Sequence, residues 1–202
     1  MKGLCCLIVL LFTGTANATL LTNGGFTGSL AGWSTIDQAK WVSDGGGRAA
    51  LSKGNTANVN GTISQNFTLD PGSSSGFRGL EISFDYLFKN WADNDLDALT
   101  AWVKIRTTNV GNVDFSLLNI SSNPGSIWKT VTAFVDLSGL DPKYSQSNVA
   151  GIYFKVKDHN SASNAYAKID NVDVRGIPEP ATLALLGLGL AGIGFSRKKK
   201  AA

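Results

Sequence analysis

The stretch LEISFDYLF, residues 80–88, alternates apolar side chains with mostly polar ones along its whole length. A period of two places successive side chains on opposite faces of an extended chain, which is typical of a strand with one buried face. No glycine or proline interrupts the stretch, as is usual for the interior of a sheet. It therefore predicts a strand whose apolar side covers a core.

Four further stretches share this period of two. They are LTAWVKI at residues 99–105, VTAFVDL at 131–137, AGIYFKV at 150–156 and, more weakly, ISQNFTL at 63–69. The last of these runs into Asp-Pro-Gly at 70–72, a turn signal in which proline presets φ and glycine accepts a positive φ. No convincing period of 3.6 occurs between residues 19 and 176, so an all-β sandwich is favoured over any helical fold.

A change of phase marks the last predicted strand. Its apolar residues Ala165, Ala167 and Ile169 share one phase, whereas Val172 and Val174 take the other. One extra residue in a strand produces such a slip. The sequence therefore predicts a β-bulge at Asp170-Asn171.

The N-terminus has the three parts of a secretory signal. Lys2 precedes an apolar run at residues 4–12, and Ala16-Asn17-Ala18 supplies a cleavage site after Ala18. The run is too short to span a bilayer, which takes about 20 residues. Both cysteines lie inside this signal, at residues 5 and 6. The mature chain thus has no disulfide and no thiolate chemistry, and a single domain at 19–176 is predicted.

The C-terminus combines prolines, an apolar glycine-rich stretch and a basic run. Pro178, Glu179 and Pro180 precede a predicted transmembrane helix at residues 181–196. At 1.5 Å per residue this helix reaches about 24 Å, a little less than the roughly 30 Å hydrocarbon core. Cations that follow a span favour the cytoplasm, which places the domain on the periplasmic or extracellular side. These cations are Arg197, Lys198, Lys199 and Lys200.

The order of these parts closely resembles the PEP-CTERM sorting signal. The resemblance covers about the last two dozen residues, from the Pro-Glu-Pro motif to the basic cluster. It implies a substrate of an exosortase-type membrane enzyme, in which Pro178, Glu179 and Pro180 are recognised rather than catalytic. It also implies a bacterium that makes extracellular polysaccharide, and release to the surface or matrix after processing is an open alternative to permanent anchoring.

Charge excludes one class of function. The whole chain has 18 Lys and Arg, 15 Asp and Glu and a net charge of +3. Lys2 and the four tail cations are removed with the ends, as is Glu179, which leaves 13 basic and 14 acidic residues at 19–176. The domain is close to neutral, so no nucleic-acid partner is predicted.

Short phrases within the domain resemble jelly-roll carbohydrate-binding modules with a galactose-binding-like fold. The phrases are LTNGGF at residues 21–26, Gly32-Trp33, WKTVTAFVDLSG at 128–139 and AKIDNV at 167–172. The resemblance implies a jelly-roll β-sandwich associated with exopolysaccharide, in which Trp33 and Trp128 serve packing.

The same resemblance implies a structural calcium between the first and last strands. Asn23, Thr27 and Asp170 are the donors available at the matching positions, and Thr27 stands where an acidic residue is typical. Calcium prefers six to eight oxygens, usually with more than one carboxylate. Whether the domain holds this ion stays open at this point.

Two tryptophans are the candidates for stacking against sugar rings. Trp91 lies in a polar segment between two predicted strands, and Trp102 is out of phase with the apolar set of its own strand. Glycan sites use exposed aromatic faces with a few polar partners. An alternative role for both residues is to cover a sheet edge.

Catalysis is not predicted. The domain has one histidine, His159, and one glutamate, Glu81, which is expected to face solvent. No nucleophile elbow occurs, and nothing pairs two carboxylates as glycoside hydrolysis requires. Three functions therefore stay open: a glycan-binding surface or matrix protein, a purely structural or adhesion protein, and a secreted hydrolase with an unrecognised site.

Overall fold

A computed structural model of the chain describes residues 19–52, 60–69, 77–89, 97–107, 111–122, 125–138, 149–157 and 165–178. These residues form ten strands and one short 3-10 turn at Asp44–Gly46. The strands are β1 (Ser34–Asp37), β2 (Ala39–Val42), β3 (Arg48–Ser52), β4 (Asn60–Thr68), β5 (Phe77–Lys89), β6 (Ala98–Thr107), β7 (Gly111–Ile120), β8 (Lys129–Asp136), β9 (Val149–Lys157) and β10 (Tyr166–Pro178).

The strands form two antiparallel sheets of five strands each. Sheet 1 has the order β1-β4-β9-β6-β7, and sheet 2 has the order β2-β3-β10-β5-β8. Most neighbours within a sheet are distant in sequence, as in the crossover connections of a jelly roll. The predicted all-β jelly-roll sandwich is confirmed.

The core lies between the sheets and takes most of its residues from the apolar phase of the longer strands. From β5 it takes Leu80, Ile82, Phe84, Tyr86 and Phe88, from β6 Leu99, Ala101, Val103 and Ile105, and from β9 Ala150, Ile152, Phe154 and Val156. All of these residues are buried, as the period of two predicted. Burial of a large apolar side chain stabilises the fold by about 1.5–3 kcal/mol.

Aromatic rings join the two sheets. The rings of Phe84 in sheet 2 and Phe154 in sheet 1 meet edge to face, with centroids 4.9 Å apart. Trp33 packs beside them, 6.2 Å from Phe154 and 5.0 Å from Phe26. Offset and edge-to-face geometries are those that aromatic quadrupoles favour. Trp33 is thus a packing residue, as expected.

The glycine of the Asn-Gly-Gly-Phe phrase allows the chain's first segment to lie against β10. Gly24 O accepts a hydrogen bond from Val172 N at 2.9 Å. A Cβ atom on Gly24 would lie 1.9 Å from Val172 O, so a larger residue cannot occupy this position without displacement. On the far side of the loop, Asn23 O accepts hydrogen bonds from Phe26 N and Trp33 Nε1.

The register of β10 contains the predicted bulge. Asp170 pairs with Asp85 and Asp173 with Ser83, so an extra residue lies between the two pairs. Asn171 has a φ of 50° there, which asparagine tolerates better than most residues. The bulge returns Val172 and Val174 to the core side.

The end of the fold lies slightly beyond the predicted domain boundary at 176. β10 continues to Pro178, whose backbone pairs with that of Phe77. Within the described part of the chain, no helix is long and apolar enough to cross a membrane. The predicted membrane segment at 181–196 lies outside the described residues, as do Ala18, Glu179, Pro180 and the basic residues 197–200.

Candidate functional site

The outward side of sheet 1, hereafter the sheet 1 face, carries an aromatic pair at its centre. Trp102 on β6 and Tyr153 on β9 are directly opposite each other across the antiparallel ladder. Both point away from the core because their neighbours in the strand, such as Val103 and Phe154, are buried. Trp102 is half-buried, and its outward direction agrees with its predicted phase.

The two rings are stacked. Their planes are inclined by 12° and their centroids lie 5.2 Å apart, within the range of offset-stacked aromatic pairs. Ser64 on β4 flanks Tyr153, and Ser116 on β7 flanks Trp102, in the same cross-strand row. The row therefore has small polar residues on both sides of the aromatic pair.

Basic side chains lie against the tyrosine. Arg106 Nη2 donates a short hydrogen bond to the Tyr153 hydroxyl, and the Arg106 and Lys104 cations lie 5.9 and 5.7 Å from the ring centroid. Cations within about 6 Å of a ring are attracted by its quadrupole. The Tyr153 hydroxyl in turn donates to Asn66 Oδ1 at 3.4 Å. Arg106, Tyr153 and Asn66 thus form a polar chain across three strands.

Gly151 makes this arrangement possible. A Cβ atom on Gly151 would lie 2.7 Å from Asn66 Oδ1 and 2.9 Å from Tyr153 Cε2. The glycine stands in the row between Asn66 and Lys104. Its missing side chain leaves the space into which Tyr153 and Asn66 lean.

Polar residues occupy the next row of the sheet 1 face. Thr62, Lys155, Thr100 and Asn119 stand opposite one another on β4, β9, β6 and β7. Lys104 forms an ion pair with Asp114 at 3.5 Å, and Asp114 is more than half exposed. Among the described outward positions of β4, β6, β7 and β9, Asp114 is the only carboxylate.

Sheet 2 carries a different polar cluster on its outward side. Arg48 donates to Asp170 Oδ2 at 3.3 Å and to Asp44 Oδ2 at 3.4 Å, and its guanidinium lies 4.5 Å from the Trp128 ring centroid. Lys168 Nζ donates a short hydrogen bond to Asp44. That bond, with the charges of Lys168 and Arg48, outweighs burial and holds the pKa of Asp44 below its ordinary value of 3.8.

The donors considered for calcium do not form a ligand set. Asp170, the one carboxylate among them, accepts hydrogen bonds from Arg48 Nε and Asn171 N. The Asn23 side chain points its Nδ2 at the carbonyls of Ser29 and Ala31, and Thr27 is exposed. A guanidinium on the only carboxylate opposes a divalent cation there. Asn23, Thr27 and Asp170 therefore do not fit calcium in this arrangement, and no group of acidic, histidine or cysteine side chains suited to a metal occurs among the described residues.

Sequence reasoning missed Tyr153, Lys104 and Arg106. Tyr153 is out of phase with the apolar residues Ile152 and Phe154 of β9. The same signal identified Trp102 in β6 as a candidate. Only the register of β6 with β9 shows that the two rings meet. The other stacking candidate, Trp91, and the histidine His159 lie outside the described residues.

The C-terminal segment matches a known sorting signal. The PEP-CTERM protein-sorting motif matches residues 176–198, which confirms the resemblance seen in the sequence and supports an exported, membrane-anchored protein. The match begins at Gly176, within β10. The motif and the last strand therefore share residues 176–178.

Solved structures similar to the sandwich include carbohydrate-binding modules. TmCBM61 in complex with β-1,4-galactotriose has a TM-score of 0.51 and 12% identity, over 78% of this chain and 97% of that one. The CBM22-1 xylan-binding domain of Paenibacillus barcinonensis Xyn10C has a TM-score of 0.50 and 14% identity, over 81% and 97%. At these identities the similarity concerns the fold. No curated protein sequence matches the chain.

A third similar structure comes from work on promiscuous carbohydrate-binding modules of the β-sandwich superfamily. It has a TM-score of 0.53 and 10% identity, over 80% of this chain and 63% of that one. The three structures agree on one class of architecture, and the chain has the jelly-roll fold of such modules.

Proposed function

We propose that this chain is an exported, non-catalytic surface or extracellular-matrix protein whose sandwich domain binds a polysaccharide on the sheet 1 face. The observation that carries the proposal is the stacked pair of Trp102 and Tyr153. The pair stands at the centre of a face whose other outward residues are mostly polar. A structural role alone does not require an aromatic pair on the side of a sheet that faces away from the core.

The surroundings of the pair suit a sugar ring. Ser64 and Ser116, which flank the pair on the adjoining strands, are too small to cover an aromatic ring. Sugar rings pack their C–H groups on aromatic faces, while nearby polar groups provide orientation. Asn66, Thr100 and Arg106 supply hydrogen-bonding groups on the neighbouring rows. The galactotriose and xylan named for two similar structures support a glycan as the class of ligand.

A binding role agrees with the charges on the sheet 1 face better than a catalytic one. Glycoside hydrolysis uses two carboxyl groups on either side of the scissile bond. Among the described outward positions of β4, β6, β7 and β9, only Asp114 offers a carboxyl group, and Lys104 is paired with it. The residues of this face therefore favour retention of a glycan over its cleavage.

The proposal is tested with the full-length protein in detergent and a panel of purified bacterial exopolysaccharides. We expect Trp102→Ala to weaken binding by about tenfold or more, since aromatic anchors at interfaces contribute about 1.5–2 kcal/mol or more. Tyr153→Ala is expected to act in the same direction. The matched control is Phe134→Ala, which removes a half-exposed aromatic from the outward side of sheet 2.

Unchanged affinity in Trp102→Ala would contradict the placement of the site. No affinity for any polysaccharide would favour the alternative of a purely structural or adhesion protein. Release of reducing ends from a bound polymer would instead favour the hydrolase. Thermal unfolding of each variant shows whether a loss of affinity reflects a loss of fold.

The sorting motif supports processing by an exosortase-type membrane enzyme. In this proposal the signal is cut after Ala18, residues 181–196 span the membrane, and Arg197, Lys198, Lys199 and Lys200 stay in the cytoplasm. The domain then lies on the periplasmic or extracellular side. Replacement of Pro178, Glu179 and Pro180 by alanine should leave the tail attached, which the mass of the mature protein reports. An unchanged mass would contradict recognition of the motif.

A further inference from the structure

We propose that the polysaccharide bound on the sheet 1 face is anionic, with carboxylate or similar acidic substituents. This inference rests on the proposed glycan-binding function. Its basis is the charge of the face, which differs from that of the domain as a whole. The domain from 19 to 176 is close to neutral, with 13 basic and 14 acidic residues, so a basic face is a local feature and not a reflection of overall charge.

The cations of the sheet 1 face come from two neighbouring strands. Lys104 and Arg106 point outward from β6, and Lys155 and Lys157 point outward from β9. Among the described outward positions of β4, β6, β7 and β9, Asp114 is the only carboxylate that could balance these cations, and it is paired with Lys104. No carboxylate among the described residues forms an ion pair with Arg106 or Lys155.

Three cations of sheet 2 are paired with carboxylates. Arg48 pairs with Asp44 and Asp170, and Lys168 also pairs with Asp44. Arg175 pairs with Asp173. The charges of these three cations are therefore balanced by described carboxylates, whereas no described carboxylate is paired with Arg106 or Lys155.

Arg106 is suited to an acidic substituent because of its position and its spare donors. One of its nitrogens, Nη2, donates to the Tyr153 hydroxyl, which orients the guanidinium at the rim of the aromatic pair. A guanidinium has five N–H donors in a planar fork that matches a carboxylate in a bidentate manner. A ligand whose ring stacks on the pair would thus bring its substituents within reach of a preoriented cation.

Lys155 extends the positive charge to the opposite side of the aromatic pair. Lys155 follows Tyr153 by two residues on β9, and Arg106 follows Trp102 by four residues on β6. Because the two strands are antiparallel, Lys155 and Arg106 lie on opposite sides of the aromatic pair. Strand residues two apart lie about 7 Å from each other on the same face. The pair of rings is therefore flanked along the sheet by Lys104 and Arg106 at one side and by Lys155 and Lys157 at the other.

The experiment compares a polyuronate with the same polymer after its carboxyl groups have been reduced to hydroxymethyl groups. The full-length protein in detergent is expected to bind the polyuronate about tenfold more tightly at low salt, with the difference shrinking as salt shortens the Debye length. The double variant Arg106→Gln/Lys155→Gln should lower this ratio of affinities towards one. Trp102→Ala should weaken binding of both polymers.

Three results would overturn the inference while leaving glycan binding intact. They are equal affinity of the unmodified protein for the two polymers, an equal loss in the control variant Lys129→Gln/Arg175→Gln, and equally tight binding of double-stranded DNA. The control removes two exposed cations from sheet 2. No binding of either polymer would overturn both the inference and the proposed function, and circular dichroism of each variant separates loss of charge from loss of fold.

Discussion

Arg48 donates from its Nε to Oδ2 of Asp170 across 3.3 Å and thereby joins β3 to the bulge of β10. Both side chains are mostly buried, with 21% and 14% of their surfaces exposed. The guanidinium also lies over the Trp128 ring. One arginine thus links two strands of sheet 2 with the residue that precedes β8.

Replacement of Arg48 by glutamine should destabilise the domain by about 1–2 kcal/mol, between the values for surface and buried ion pairs. The reason is that Asp170 would keep a largely buried charge without its cation. Urea unfolding measures the change. Arg175→Gln is the matched control, because Arg175 and its partner Asp173 are both more exposed than Arg48 and Asp170. An equal effect of the two variants would contradict a special role for Arg48.

Calcium should leave the stability of the protein unchanged. The Arg48 guanidinium already neutralises Asp170, and the neighbouring Thr27 provides no carboxylate. We expect the same melting temperature with millimolar calcium and with a chelator. A saturable rise in melting temperature that the chelator reverses, and that Asp170→Asn abolishes, would show that these donors do bind the ion.

Gly24→Ala should destabilise the domain by about 1–3 kcal/mol, the usual cost of forcing extra atoms into a packed position. Its Cβ atom would lie 1.9 Å from Val172 O, so the first segment would have to leave β10. Gly25→Ala is the control, because its Cβ would meet no atom closer than 4.0 Å. Equal stabilities of the two variants in urea unfolding would contradict the close approach at Gly24.

Acid should remove the stabilisation that the Asp44 carboxylate provides through Lys168 and Arg48. The hydrogen bond from Lys168 is the main cause of the lowered pKa of Asp44. The stabilisation that accompanies this lowered pKa is fully present when the pH is above the ordinary pKa of 3.8. This contribution is lost as the pH falls through the lowered pKa. Because the side chain is 45% exposed, solvent screening keeps the effect below about 1 kcal/mol.

The variant Asp44→Asn provides the measurement. It should lower stability slightly at neutral pH and should reduce the loss of stability between about pH 5 and pH 2, where ordinary and lowered carboxyl groups titrate. Urea unfolding across this pH range reports both effects. Identical pH profiles of the two proteins would contradict a stabilising role for the Asp44 carboxylate.

Much of the sandwich could be predicted from local pattern. The alternation at residues 80–88, 99–105 and 150–156 identified core residues that are buried, and the change of phase at Asp170-Asn171 identified a bulge. The C-terminal sorting motif was equally readable, because it is a contiguous sequence. These features depend on residues within a few positions of one another.

Only part of the candidate site could be predicted from the sequence, because its residues come from segments that are distant in the chain. Phase alone placed Trp102 on the outward side of its strand, but its partner Tyr153 is supplied by a strand about fifty residues away. The calcium expectation illustrates the opposite case. It considered Asp170 from its place in the last strand, without Arg48, which is 122 residues earlier in the chain.

By itself, the sequence determined which side of the strands at 80–88, 99–105 and 150–156 is apolar, where the last strand bulges, and that a sorting motif follows the domain. The direction of a side chain in a strand repeats every two residues, so it is a local property. Tertiary structure alone decided which outward residues share a row, and hence that Trp102 meets Tyr153, that Arg106 reaches its hydroxyl and that Arg48 neutralises Asp170. Strand order and register depend on packing between distant segments, which no local pattern encodes.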